Sequence, residues 1–137
     1  MAHRIRSGKS RSRLGYTLIE LIIVIAIISV LLSVAVPIYT HSIQRAKESV
    51  LHQHLFLLRQ TIDEYTFDKK AAPQSLDDLV SDGYLREVPI DPITGQAEWE
   101  TVIEDSLTSV DQTQPGIFDV HSLSDEISSE GTPYSEW

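Results

Sequence analysis

The sequence contains neither cysteine nor asparagine in its 137 residues. The first absence excludes disulfides, iron–sulfur clusters, thiolate zinc and thiol nucleophiles; the second excludes N-glycosylation sequons. No G-x-S-x-G elbow and no glycine-rich phosphate loop occurs, so the common frames for acyl and phosphoryl transfer are missing. Positive charge is scarce over most of the chain. From residue 16 on there are 6 Lys or Arg against 20 Asp or Glu, and the whole chain carries a net −9. A body this acidic has no electrostatic footprint for DNA or RNA, and no nucleic-acid partner is expected. The other five bases (Arg4, Arg6, Lys9, Arg11 and Arg13) all stand in residues 1–15, which hold no acid.

Behind that basic segment the chain turns apolar. Leu21 to Val36 is interrupted only by Ser29 and Ser33, and no Asp, Glu, Lys or Arg occurs between Glu20 and Arg45. About 20 helical residues cross a bilayer core of roughly 30 Å, and Leu21 to Tyr39 supplies 19. The basic flank orients such a span with its N-terminus in the cytoplasm. Three readings are open for the block. It is a plain signal anchor, a secretory signal cut near Ser33-Val34-Ala35, or a segment in which Glu20 has a purpose. A carboxylate inside an apolar helix is costly, by about 2.5–3.5 kcal/mol at mid-bilayer. Neither of the first two readings uses it, short of letting Glu20 snorkel to the headgroups.

Gly15-Tyr16-Thr17-Leu18-Ile19-Glu20, behind a basic leader and ahead of an apolar run, closely resembles the processing signal of type IV pilins and type II secretion pseudopilins. The resemblance implies cleavage after Gly15 by a prepilin peptidase and methyltransferase, then N-methylation of Tyr16, where the family favours Phe. It places Glu20 at the family's glutamate and Pro37 at the proline that bends or loosens the helix. Independently of the family, cutting after Gly15 removes the leader charges and leaves an amine on Tyr16. In a filament of identical subunits, Glu20 of one chain can meet that amine on its neighbour. A buried carboxylate recovers much of its cost when paired, and non-closing, head-to-tail contacts propagate a filament.

Beyond Pro37 the apolar residues thin into a stripe. Ile38, Tyr39, Ile43, Ala46, Val50, Leu51, Leu55, Leu58, Ile62 and Tyr65 recur at steps of three and four, the pattern of one helix face. Arg45, Lys47, Glu48, Arg59, Asp63 and Glu64 fall on the polar side. Pro37 lacks an amide hydrogen and is expected to kink or locally melt the helix. Lys69 to Pro73 reads as the helix exit. Ser75 with Asp78 makes a capping signal for a short helix that Gly83 stops. Trp99 to Ile103 and Ile117 to His121 read as strands around a polar loop over 104–116. Some seventy residues outside the long helix are too few for a core of their own, so the head must borrow the helix's stripe. His52 and His54, two apart, point to different helix faces rather than to one metal, and His121-Ser122 beside Asp119 diverge along a strand.

The resulting fold class is α+β: a long N-terminal helix, transmembrane in its first half and amphipathic in its second, with a small head packed on it. Its parts are a removable basic leader (1–15), a transmembrane and assembly helix (16–39), an amphipathic continuation (40–70) and an acidic head (71–137). Within the prepilin family, Tyr65, Pro73, Gly83-Tyr84-Leu85, Asp91-Pro92 and Gly95, with Asp119 to Asp125, resemble the major pseudopilin of type II secretion. That resemblance implies a non-enzymatic subunit of the bacterial inner membrane, head outside, later built into a periplasmic filament. Its partners would be further copies of itself, minor pseudopilins, the secretion assembly platform and the lipid bilayer. It also implies calcium (Ca2+) held by the Leu123 carbonyl and the Asp125 carboxylate, against the simpler reading of a solvated acidic loop. A type IV or competence pilus subunit is the alternative within the family; a tethered periplasmic binding domain or a secreted globule are those outside it.

Overall fold

The computed structural model describes residues 15–104 and 114–137. Residues 1–14 of the expected leader, and positions 105–113 of the expected loop, lie outside the described residues. The elements are α1 (Leu18–Lys69), α2 (Leu76–Ser81), β1 (Glu100–Glu104), β2 (Gly116–His121) and a 3₁₀ turn (Tyr134–Glu136). The chain divides into two compact units between Tyr39 and Thr40.

The first unit is the apolar start of α1. Thr17 caps it: its hydroxyl accepts from the Glu20 backbone N–H at 3.2 Å, and its carbonyl accepts from Leu21 N at 3.2 Å. Thr17-x-x-Glu20 therefore has the spacing of a capping box. Within the run, the Ser29 hydroxyl donates to the Ile25 carbonyl and that of Ser33 to Val30, at 2.8 and 2.7 Å. Both polar groups are thus satisfied without water, as lipid requires. The helix continues through Pro37 without interruption. Among the described residues α1 is the one helix long and apolar enough to cross a membrane, and none of its most apolar window is buried. Each such Leu or Ile gains about 1.5–3 kcal/mol on leaving water, so lipid or other chains must cover this surface.

The second unit is the rest of α1 with the head. Leu51, Leu55, Leu58 and Ile62 form one core cluster with Leu79, Leu85, Trp99, Ile117, Val120 and Tyr134, so the head does borrow the helix stripe. The stripe is narrower than its sequence pattern. Ile43, Ala46 and Val50 stay exposed, while Glu48, expected on the polar side, is buried. The covered face runs through Glu48, Leu51, Leu55, Leu58, Thr61 and Ile62, whereas Ile43, Ala46 and Val50 fall outside the surface that the head covers. α1 ends at Lys69, with Lys70 at φ 56°, and the Lys69–Asp82 ion pair (3.2 Å) and the Tyr84 hydroxyl on Asp68 (3.0 Å) fasten the exit. The Ser75–Asp78 capping box forms in both directions, and Gly83 takes φ +83° where α2 stops.

β1 and β2 make an antiparallel two-stranded sheet, and each takes one residue from the expected 104–116 loop. Val102 faces Asp119 and Ile103 faces Ile117, which leaves Phe118 as the extra residue of a bulge. The bulge turns Ile117 and Val120, three apart, to the same buried side and leaves Phe118 exposed. Alternation predicts a half-buried β1; instead Glu100 to Ile103 are all exposed, and the buried Trp99 lies just before it. Two interactions seat β2 on the helix exit. Ile117 N donates to the Pro73 carbonyl at 2.8 Å, and a Cβ on Gly116 would lie 2.7 Å from the Ala72 Cβ and 2.8 Å from two backbone carbonyls. Gly116→Ala is expected to cost about 1–3 kcal/mol by overpacking. Thermal melting should register it as a fall of about 4–8 °C for each kcal/mol.

Candidate functional site

Gly15 and Tyr16 precede the first helical turn and are exposed, Tyr16 at 87%. Their peptide bond therefore lies in non-helical, accessible chain, the form in which a protease takes its substrate. Glu20 stands in the first turn of α1, where the unsatisfied N–H groups of the helix start favour negative charge. Since the cap bond uses its backbone N–H, that bond leaves the carboxylate unused. The arrangement sets an accessible, non-helical Gly15–Tyr16 peptide bond just ahead of a carboxylate at the start of an apolar helix. It has the parts for subunit pairing and no nucleophile–base pair.

A second carboxylate is not legible as a buried group from its position in the stripe. Glu48 is 6% exposed, and it accepts from Ser129 N (2.7 Å), the Ser129 hydroxyl, the Tyr134 hydroxyl (2.8 Å) and Gln44 Nε2 (3.3 Å). Burial would raise its pKa. The Ser129 side-chain and backbone bonds, then those from Tyr134 and Gln44, outweigh burial and hold the carboxyl below its ordinary range. Glu48 thus ties the segment before the 3₁₀ turn to α1. Its place three and seven residues before Leu51 and Leu55 is the one available signal.

Asp91 plays the matching part in the Asp91–Gly95 turn. Fully buried, it accepts from Ile93 N (2.7 Å) and from the Ser122 hydroxyl (2.5 Å), while its carbonyl takes Gly95 N (2.8 Å). His121 faces the Trp137 carbonyl at 2.7 Å and the Asp119 carboxylate at 3.5 Å, so Asp119 and His121 meet rather than diverge, while Ser122 is committed as a donor to Asp91 and the three form no catalytic set. His52 stacks on Trp137 with ring centroids 4.1 Å apart, and His54 Nδ1 meets the Ile90 carbonyl at 2.8 Å; both pack rather than ligate. Arg59 bonds Asp119 (2.6 Å) and the Val120 and Trp137 carbonyls (3.1 and 2.8 Å).

The calcium reading rests on Leu123 and Asp125. Asp125 already accepts from the Ser135 hydroxyl at 2.9 Å. Among the described residues no three His, Asp or Glu side chains converge as a metal group. A calcium ion takes six to eight oxygens, and the donor set here falls short of that fit.

Comparison with known proteins gives three kinds of result. The family model for the prokaryotic N-terminal methylation motif matches residues 10–36, which include Gly15, Tyr16 and Glu20. The chain is similar to the competence protein ComGC of Halalkalibacterium halodurans, 37% identical over 71 residues, 52% of this chain and 70% of that one. It is similar to the type II secretion system core protein G of Pseudomonas aeruginosa, 31% identical over 98 residues, 60% of this chain and 69% of that one. The protein of the same name from Klebsiella michiganensis is 28% identical over 103 residues, 64% and 72%. No solved structure matches the chain.

Proposed function

The chain belongs to the type IV pilin-like family of structural subunits, which are not enzymes, and from that premise we propose a course for it. It enters the bacterial inner membrane with its leader in the cytoplasm and its head in the periplasm. Prepilin peptidase cuts between Gly15 and Tyr16 and methylates the Tyr16 amine. The assembly platform then draws α1 out of the lipid into a type II secretion pseudopilus, tipped by minor pseudopilins. There the apolar segment 16–39 exchanges lipid for neighbouring helices, with Glu20 paired to the Tyr16 amine of the next copy. Pro37, which cannot donate to the carbonyl four residues back, is the point at which α1 yields during that exchange.

The observation that carries this reading is the methylation motif over residues 10–36, set on a helix whose most apolar window is wholly uncovered. The competence pilus is kept as a second reading on the 37% identity to the competence protein; the type II secretion relatives, matched over more residues, favour the first. Intact mass with N-terminal fragmentation on protein from its native membrane tests processing. The expected chain starts at Tyr16 with one added methyl. A chain that keeps its leader would make it a tethered domain, and one starting near Val36 a secreted protein.

A further inference from the structure

The segment from Ser129 to Trp137 is fastened to α1 at two points of opposite charge. Glu48 and Arg59 are 11 residues apart, about three full turns of helix. Glu48 accepts from Ser129 and Tyr134; Arg59 does the reverse and gathers oxygens. Its Nε donates to Asp119 Oδ1 at 2.6 Å, and its Nη2 donates to the Val120 and Trp137 main-chain oxygens at 3.1 and 2.8 Å. These acceptors stand 60, 61 and 78 residues further along the chain. His121 Nδ1 meets the same Trp137 oxygen at 2.7 Å, and His52 stacks on the Trp137 ring. Only 37% of the Arg59 side chain and 27% of the Asp119 side chain are exposed, so water and salt screen this pair less than one on the open surface.

A carboxylate and main-chain oxygens converging from separate segments are the donors that a calcium ion collects. Here the cation they share is a guanidinium. We infer that Arg59 is the head's resident cation, taking the part of a structural metal and closing β2 and the segment through Trp137 onto α1. The fork suits the task for a geometric reason. A guanidinium carries five N–H donors in a fixed plane, so it can bond oxygens of two segments at once. A lysine ammonium is a point charge on a flexible stem and lacks that fork. Closure of the head then depends on a side chain of α1 and on no divalent ion. The poor calcium fit at Leu123 and Asp125 gains a positive reason: the segment already has its cation.

The test uses the full chain in detergent. Arg59→Met keeps the apolar stem and drops the fork. The amide protons of Tyr134, Glu136 and Trp137, all hydrogen-bonded in the parental chain, are expected to exchange at least about tenfold faster in it. Arg59→Lys should restore only part of that protection. The decisive variant is Arg59→Glu. A carboxylate with calcium at about 2.3–2.6 Å reaches about as far as the longer guanidinium, so this substitution trades the resident cation for one more oxygen ligand. Its melting temperature should lie below the parental value. It should rise by about 5 °C or more in about 10 mM Ca2+, some ten times the weakest dissociation constants of natural calcium modules. Mg2+ at the same concentration should do much less, because it demands a stricter octahedron, and neither ion should move the parental melt. Unchanged exchange in Arg59→Met would overturn the closure, and full protection in Arg59→Lys would overturn the fork. An Arg59→Glu chain that Ca2+ neither folds nor stabilises, or that Mg2+ stabilises equally, would overturn the assignment of these oxygens to a cation.

Discussion

Glu20→Ala chains are expected to be inserted, cut after Gly15 and folded as the parental chain is, yet to yield filaments reduced by about a hundredfold or more. The magnitude comes from the cost of breaking a buried charge pair, about 3–5 kcal/mol, at about tenfold per 1.4 kcal/mol. In the proposed filament the substitution removes the carboxylate while the neighbour's Tyr16 amine stays in the apolar bundle. The fold is spared for a local reason. The bond that starts α1 runs from the Glu20 backbone N–H to the Thr17 hydroxyl, and alanine keeps that N–H. Insertion is not impaired, since the substitution only takes a carboxylate out of the apolar helix. The measurement is sheared filament yield beside the mass of the processed chain. Normal filament yield from Glu20→Ala would remove the pairing role, leaving Glu20 as a helix-start charge.

The second large effect concerns Glu48. Glu48→Ala leaves the buried Tyr134 hydroxyl, and the part-buried bonds from the Ser129 amide and hydroxyl, without their acceptor. At the usual cost of stranding such groups the head loses about 2–4 kcal/mol, and its melting temperature falls by roughly 10–20 °C. The same carboxylate makes stability depend on acid. Its folded pKa lies below the ordinary 4.5. Its contribution is therefore complete above that unfolded value and is lost as pH falls through the lower folded one. Melts of the full chain in detergent between pH 7 and pH 3 should show a decline in the acid range that Glu48→Gln flattens. If the acid slope is the same in Glu48→Gln, other carboxylates carry it. Since the donors around Leu123 and Asp125 among the described residues fall short of a calcium shell, chelator and added Ca2+ should leave the parental melt unmoved. A chelator-induced drop of several degrees would return Leu123 and Asp125 to the metal reading.

Much of this molecule is legible along the chain. The uncharged run from Leu21 to Gln44, the stripe through Leu51, Leu55, Leu58 and Ile62, the Ser75–Asp78 box and the stop at Gly83 are short-range patterns. Each is set by propensity, helical period or capping within a few residues, so each can be found without a partner in view. Gly15, Tyr16 and Glu20 belong to the same class, because they stand within one short linear motif over residues 10–36. The head is different. Whether Glu48 is a surface charge or a buried clamp depends on Ser129, 81 residues away, and Tyr134, 86 away. No local period carries that information. The same holds for Ser122 closing on Asp91 and for Gly116 passing against Ala72 and Pro73. The Phe118 bulge moves Val120 inward where strict alternation from Ile117 would put it outward, because pleat and register are settled by the pairing with β1. Local chemistry thus wrote the helix and its signal, whereas the head's polar clamps exist only where distant segments meet and exclude water.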